Sequence, residues 1–157
     1  MRKTAAKKKA TAPDSRYNDP LVTRFVNNLM YSGKKSLAFQ IFYDAMDIVD
    51  EQAAEGDNGY ELWKKALNNI MPGVEVKSRR IGGSTFQIPA EIRADRKISV
   101  GISWLIKYSR ARKGKSMAEK LAAEVMAASK GEGAAVKKKE DTHRMADANK
   151  AFAHFRV

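Results

Sequence analysis

The chain of 157 residues contains no cysteine. This absence excludes disulfide bonds, thiolate zinc sites and a cysteine nucleophile, and it suits a reducing compartment. No apolar run approaches the roughly 18 residues of a membrane span, and residues 1–16 lack the apolar stretch of a signal peptide. We therefore expect a cytoplasmic protein with no membrane partner.

Residues with the spacing of a catalytic site are also missing. His143 and His154 are the two histidines, and on one predicted helix they lie more than about 16 Å apart, too far to share a metal. The motif Gly33-Lys34-Lys35-Ser36 resembles the end of a phosphate-binding loop, but Asn28 replaces the upstream glycine and no strand precedes it. We predict a non-enzymatic protein with no metal, no cofactor and no small-molecule substrate.

Acidic residues are too few to balance the basic ones, since 18 Asp and Glu oppose 30 Lys and Arg and leave a net charge of +12. The cations are concentrated in residues 1–16 and 77–115, whereas acidic residues cluster between 44 and 61. Segregated charge creates a directional field that steers a polyanion, while a merely solvated lysine-rich surface would intersperse the two signs. The pattern favours a nucleic-acid partner.

Apolar residues recur with helical spacing in six segments, and the sequence marks most of their ends. The predicted boundaries are an N-cap at Asp19 and a stop at Gly33, a second helix from Lys34 to Gly56, an N-cap at Asn58 and a stop at Pro72, a fourth helix ending near Gly114, and a fifth from the Ser116–Glu119 capping box to Gly131 and Gly133. The sixth helix is expected to bury a stripe formed by Met145, Ala148, Phe152 and Phe155.

Between the third and fourth helices, residues 74–92 alternate apolar and polar side chains, which predicts a two-stranded β-hairpin arm. Gly82-Gly83 is its expected turn. Lys77, Arg79 and Arg80 lie beside this turn, where they suit contacts with phosphates or exposed bases; the alternative is that they protect a ribbon edge from aggregation. The predicted fold is mainly α, a six-helix bundle with a protruding hairpin arm.

Residues 1–18 show no apolar periodicity and are predicted to be a basic arm that is disordered unless bound to RNA, preceding a single helical domain at 19–157. Aromatic residues divide between core and surface. We assign Trp63 to the core and leave Trp104 open. Tyr17 and Tyr31, next to basic residues, either stack on bases or pack in the protein.

Several motifs together resemble the bacterial-type ribosomal protein S-seven family of the small ribosomal subunit. The residues that carry the resemblance are Asp19, Leu21, Phe25, Val26, Gly33-Lys34-Lys35, Ile41, Phe42 and Ala45, the hairpin from Val74 to Ile92, Gly114-Lys-Ser-Met, and the segment from Lys138 to Arg156. The similarity covers nearly the whole chain. It departs from the family pattern at the end, where Val157 stands in the place of a common aromatic residue.

The resemblance implies a structural protein that binds the 3′ major domain of small-subunit rRNA and nucleates assembly of the subunit head. The expected rRNA-binding residues are Arg2, Lys3, Lys7, Lys8, Lys9, Arg16, Lys34, Lys35, Lys77, Arg93, Arg96, Lys97, Lys107, Arg110, Arg112, Lys113 and Lys115. Those expected near exit-site tRNA and the mRNA path are Arg79, Arg80, Gly82, Gly83, His143 and Arg144. Neighbouring small-subunit ribosomal proteins are implied as further partners.

One alternative from another class remains at this stage. A helical DNA-binding protein would share the basic charge, but it would be expected to dimerise on symmetric sites and to prefer duplex DNA over structured RNA.

Overall fold

The computed structural model describes residues 10–53 and 56–155. Its elements are α1 (Pro20–Leu29), α2 (Lys35–Gln52), α3 (Gly59–Ile70), β1 (Val74–Ile81), β2 (Ser84–Glu91), α4 (Ala94–Ala111), α5 (Met117–Ser129), α6 (Ala134–Ala148) and a terminal 3₁₀ helix (Lys150–Phe155). The two strands form one antiparallel sheet. This order confirms the predicted mainly α fold with a hairpin between the third and fourth helices.

The predicted helix starts are confirmed by their caps. Asp19, Asn58 and Ser116 each accept, through a side-chain oxygen, a hydrogen bond from a backbone N–H of the following turn. Each satisfies a donor that the helix itself leaves without a partner. In the capping box at α5, the carboxylate of Glu119 accepts from the backbone N–H of Lys115 at 3.1 Å, one residue before the N-cap.

Aromatic rings form the centre of the core. The ring of Trp63 meets those of Phe25 and Phe42 edge to face, with centroids 5.5 Å and 5.2 Å apart. All three side chains are fully buried, and edge-to-face pairs gain stability beyond their buried area. The prediction for Trp63 is therefore confirmed, and Trp104 is half-buried against the same core.

The close approach of α4 to the end of α3 depends on a glycine. A Cβ atom built at Gly101 would lie 2.9 Å from Cγ of Met71 and 3.3 Å from Cδ1 of Leu67. Any larger residue would push the helices apart, because packed interiors leave no room for an added methyl group. This contact matters for the site, since α4 carries the predicted basic segment on its exposed side.

The apolar stripe predicted for the sixth helix is wrong at two of its four positions, Met145 and Ala148. Met145 is 45% exposed and Ala148 is also exposed, and the α-helix ends at Ala148 before a 3₁₀ turn. The helix instead buries Ala135, Val136, Thr142 and Ala146, and half-buried Lys139 donates from Nζ to the backbone oxygen of Asn69 at 2.8 Å. Between its two apolar ends the inner face thus includes the polar residues Lys139 and Thr142, which interrupt the apolar periodicity.

The segment before α1 is packed against the helices from Asp14 onward. Asp14 is 4% exposed and accepts hydrogen bonds from the backbone N–H groups of Arg16, Tyr17 and Asp19 and from the hydroxyl of Tyr43. Burial opposes ionisation of Asp14, but these hydrogen bonds outweigh it, so the pKa of its carboxyl lies below the ordinary 3.8. The arm boundary at residue 18 stays a prediction, yet residues 14–18 already contact the folded domain.

Candidate nucleic-acid interface

The hairpin arm has the predicted strands and turn. In its register Val74 lies opposite Glu91 at the root, and Ile81 lies opposite Ser84 at the tip. The turn residues Gly82-Gly83 have φ angles of +56° and +90°. Two consecutive positive φ angles match the twist of a two-residue hairpin, and glycine adopts them without the steric cost of a Cβ.

Three cations of β1, Lys77, Arg79 and Arg80, are exposed toward the tip. Because side chains alternate along a strand, Lys77 and Arg79 share one face and Arg80 lies on the other. The face with Lys77 and Arg79 borders a groove of about 500 Å³ that reaches the start of α4. The arm therefore offers basic groups on both sides, and guanidinium groups can bind phosphates in bidentate fashion.

The root of the arm is tied to α4 by ion pairs. Arg96 contacts Oε2 of Glu75 through both Nε and Nη2 at 2.8 Å, and Lys77 Nζ lies 3.2 Å from Oε1. Burial tends to raise the pKa of Glu75, but its hydrogen bonds from Arg96 and Lys77 bring that pKa below the ordinary 4.5. Arg96 thus also ties the arm to α4, while Lys77 pairs with Glu75 within β1, and the two side chains remain 56% and 64% exposed.

The C-terminal elements hold the arm from its other side. Gly73, at the root, donates its backbone N–H to Nε2 of half-buried His143 at 3.1 Å. Farther along the arm, the ring of Phe86 packs on that of Phe152, with centroids 5.2 Å apart. His143 therefore supports the arm, a role that its sequence context did not indicate.

The other residues of the predicted tRNA- and mRNA-proximal group are exposed. Arg144 is 80% exposed, and its Nη1 lies 3.9 Å from Asp141 one turn earlier. His154 is exposed in the terminal 3₁₀ helix. The prediction that His143 and His154 share one helix is wrong, because α6 ends between them.

The turn between α1 and α2 presents two lysines. Ser32 and Gly33 have positive φ angles of +50° and +73°, and the backbone N–H of Lys34 donates to the carbonyl oxygen of Tyr31 at 2.9 Å. The first helix stops four residues before Gly33, earlier than predicted. The resulting tight turn leaves Lys34 and Lys35 exposed, as contact with a polyanion requires.

The basic end of α4 lies next to this turn. The cations of this segment are Lys107, Arg110, Arg112, Lys113 and Lys115. Nη2 of Arg110 donates to the carbonyl oxygen of Leu29 at 2.9 Å, and its guanidinium carbon lies 4.1 Å from the ring centroid of Tyr31. Arg110 therefore joins two segments, far apart in sequence, into one basic surface. Arg93 and Lys97, at the start of the same helix, are exposed and half-buried respectively.

Arg112 is engaged within the protein. Its Nε donates to Oε2 of Glu124 at 2.5 Å, and the Glu124 side chain is completely buried. The other carboxylate oxygen accepts the backbone N–H of Ala135 at 2.9 Å, at the start of α6. A buried carboxylate is tolerated only with such partners. The side chain that was predicted to contact rRNA at Arg112 therefore already forms an ion pair within the protein.

Of the six predicted N-terminal cations, the structure describes one, Arg16. Five of them lie outside the described residues: Arg2, Lys3, Lys7, Lys8 and Lys9. Arg16 is described, and its Nη2 lies 2.5 Å from Oδ1 of Asp47 on the acidic face of α2. On the same helix, Asp50 accepts the backbone N–H of Gly59. Asp47 and Asp50 of α2 thus serve the fold, the first through Arg16 and the second through Gly59.

Arg24, Asn28 and Ser103 were not among the predicted site residues. Nη2 of Arg24 donates to the backbone oxygen of Asp95 at 2.9 Å, joining α1 to the start of α4. Asn28 and Ser103 line a groove of about 310 Å³ together with cations of α4. Arg24 and Asn28 are four residues apart in α1 and therefore share a helix face. This spacing of two polar residues is the sequence feature that could have identified them as part of the site.

The described part of the chain offers no alternative chemistry. Within residues 10–53 and 56–155, histidines and carboxylates form no group able to hold a metal ion. No helix in these ranges combines the length and apolarity needed to cross a bilayer. What the structure does provide is a helical scaffold with a basic arm and a basic turn, which is the class of protein suited to binding a polyanion.

Comparison with known proteins identifies the family. The family model described as ribosomal protein S7p/S5e matches residues 1–150. The small ribosomal subunit protein uS7 of Flavobacterium psychrophilum is 64% identical over 157 residues and 99% of each chain. The proteins of the same name from Cytophaga hutchinsonii and Amoebophilus asiaticus are 60% identical over 99% of each chain and 55% identical over all of each chain.

The chain belongs to the ribosomal protein S7p/S5e family. Its members are structural, non-enzymatic components of the ribosome, and the chain is accordingly a ribosomal protein of the small subunit that resides with the ribosome in the cytoplasm. This confirms the family that the sequence motifs indicated, together with the prediction of a non-enzymatic protein. It also favours RNA over the DNA-binding alternative.

Proposed function

We propose that the chain is a primary binder of the 3′ major domain of small-subunit rRNA and that it nucleates assembly of the subunit head. The supporting observation is the union of two basic segments by Arg110, which brings the α1–α2 turn and the end of α4 into one surface. Structured RNA is recognised largely through phosphates, shape and unstacked bases, and a rigid basic surface suits that mode.

The arm and the last helices have a second role in this proposal. The exposed Arg79 and Arg80, the Gly82-Gly83 tip and Arg144 lie near exit-site tRNA and the mRNA path. Support comes from the connection between the arm root and α6 through Gly73 and His143, which makes the arm and the C-terminal elements one unit. Residues 1–9, which lie outside the described residues, contact the rRNA through their basic side chains.

The experiment is a binding titration against a transcript of the 3′ major domain, with a transcript of another rRNA domain as competitor. We expect tight binding to the first and at least about tenfold weaker binding to the second. The double variant Arg79→Ala/Arg80→Ala should bind more weakly with unchanged helical content. The matched control is Lys65→Ala/Lys130→Ala, which removes the same charge from exposed positions outside the proposed surface.

Three results would contradict the proposal. Equal affinity of the protein for both transcripts would mean that the basic surface binds RNA without selecting the 3′ major domain. Equal weakening by Lys65→Ala/Lys130→Ala would mean that net charge, and not the arm, sets the affinity. A loss of helix on changing Arg79 and Arg80, seen by circular dichroism, would count against an arm that projects from an independently folded bundle.

A further inference from the structure

Tyr31 is exposed on the proposed RNA-binding surface although its ring is large and mostly apolar. Its exposed fraction is 66%, compared with 50% for Leu37 and 45% for Met145, the other large hydrophobic residues exposed in the described part of the chain. Single exposed apolar side chains are common and need no function. Tyr31 differs from the other two because its ring has an ordered cationic neighbour.

That neighbour is Arg110, whose guanidinium carbon lies 4.1 Å from the ring centroid of Tyr31. The hydrogen bond from Nη2 of Arg110 to the carbonyl oxygen of Leu29, at 2.9 Å, restrains the guanidinium in place. The backbone that carries the ring is restrained too, because the Tyr31 carbonyl oxygen accepts the backbone N–H of Lys34 within the turn. With one ring face beside Arg110, the 66% exposure leaves the opposite face open to solvent.

The surroundings of this pair fit a nucleotide better than a purely apolar ligand. On one side Tyr31 and Lys34 border a small notch of about 80 Å³. On the other side Arg110 lines a groove of about 310 Å³ with Asn28, Ser103, Ile106 and Lys107. Amide and hydroxyl groups can bond base edges or ribose, and lysines neutralise the flanking phosphates.

We propose that Tyr31 and Arg110 form a platform on which one unpaired nucleobase of the bound RNA stacks, using the open face of Tyr31. This inference rests on the proposed function. Stacking of a base on an aromatic ring suits unstacked positions in loops and bulges, and a cation next to the ring adds to the attraction. The sequence left two tyrosines as candidates, and the structure separates them, because the ring of Tyr17 stacks on Tyr60 with centroids 4.5 Å apart.

The test uses the full chain and a transcript of the 3′ major domain of small-subunit rRNA. Tyr31→Leu removes the ring and keeps an apolar side chain, so binding should weaken by about fivefold or more. Tyr31→Phe keeps the ring and should stay within about twofold of the original protein. Leu37→Ala is the matched control, an exposed apolar residue beside the same notch, and should also stay within about twofold.

Two further measurements distinguish stacking from a structural role. Stacking carries no charge, so the slope of log affinity against log salt should be the same for Tyr31→Leu and the original protein. Ultraviolet cross-linking of the original protein to the transcript should yield an RNA adduct on the peptide that contains Tyr31. Thermal melting of each variant shows whether its fold is intact. The cross-link is measured on the original protein, so it does not depend on the folding of any variant.

The outcomes separate this inference from the proposed function. If the original protein binds the transcript, but Tyr31→Leu binds equally well or the Tyr31 peptide carries no RNA, the platform is refuted and the proposed function stands. If Leu37→Ala weakens binding as much as Tyr31→Leu, a general apolar contact replaces stacking, and the platform is again refuted. If the original protein does not select the transcript, the proposed function fails, and the platform fails with it.

Discussion

Replacing Arg112 with alanine should destabilise the fold, although the residue lies in the segment predicted to bind RNA. The substitution leaves the carboxylate of Glu124, which is 0% exposed, without its guanidinium partner. Removing one partner of a buried ion pair typically costs about 3–5 kcal/mol. Because one oxygen of Glu124 keeps its hydrogen bond from Ala135, we expect a loss near the lower figure, about 3 kcal/mol. For a chain of this length that corresponds to a fall in Tm on the order of 10 °C.

Thermal melting followed by circular dichroism measures this loss. Lys113→Ala is the matched control, since Lys113 is the next residue and is exposed, and its melting temperature should stay within a few degrees of the original. The double variant Arg112→Ala/Glu124→Ala should lose much less than the sum of the two single changes, because each single change already breaks the same pair. If Arg112→Ala melted together with Lys113→Ala, the ion pair would contribute nothing, and Arg112 would be available to RNA.

Three further outcomes follow from the same structure. Asp14→Asn should lower stability by about 1–3 kcal/mol near neutral pH. The folded-state pKa of Asp14 is depressed, so this advantage exists above the unfolded pKa and is lost as the pH falls through the folded one. The difference between the two proteins in denaturant melts should therefore shrink as the pH falls below the ordinary 3.8. A constant difference would refute that assignment. His143→Ala should leave the bundle folded but speed amide exchange at Gly73, and unchanged exchange there would contradict the observed hydrogen bond. Lys34→Ala/Lys35→Ala should reduce the magnitude of the salt slope of rRNA binding by about 1–2 from a starting value of roughly −6 to −7 for about eight phosphate contacts, whereas an unchanged slope would remove the turn from the interface.

Local signals in the sequence were sufficient for most of the scaffold. The caps at Asp19, Asn58 and Ser116 and the Gly82-Gly83 turn were all predicted, because each depends on the chemistry of a few consecutive residues. Apolar periodicity likewise located Trp63 in the core. Such features need no knowledge of how distant segments meet.

The parts that could not be predicted depend on polar partners far away in the chain. The inner face of α6 runs through Lys139, whose ammonium group reaches the backbone of Asn69, 70 residues earlier. The same is true of Glu124, a charged residue at a fully buried position, which periodicity treats as a surface residue. Burial of such groups is decided by whether a partner is present in three dimensions.

The candidate site, like the fold, could be predicted from the sequence only in part. The sequence identified the basic segments, since charge is visible residue by residue. It could not show that Arg110 would join the α1–α2 turn, that Arg96 would pair with Glu75, or that Tyr31 and Tyr17 would differ in exposure. Because Asp14 lies in a packed segment, we expect deletion of residues 1–16 to lower stability as well as affinity for rRNA, and deletion of residues 1–9 is the variant that tests affinity.

The hydrogen bond between Gly73 and His143 bears on how the molecule is made. A polypeptide leaves the translating ribosome from its N-terminus, and these partners are separated by 70 positions. The hairpin can therefore pair its own strands early, and the Arg96–Glu75 contact can attach its root to α4, but the second support, from α6, is absent until almost the entire sequence has been synthesised. In a nascent chain that stops before α6, the hairpin would be held on one side only, so its final orientation is one of the last events in biogenesis.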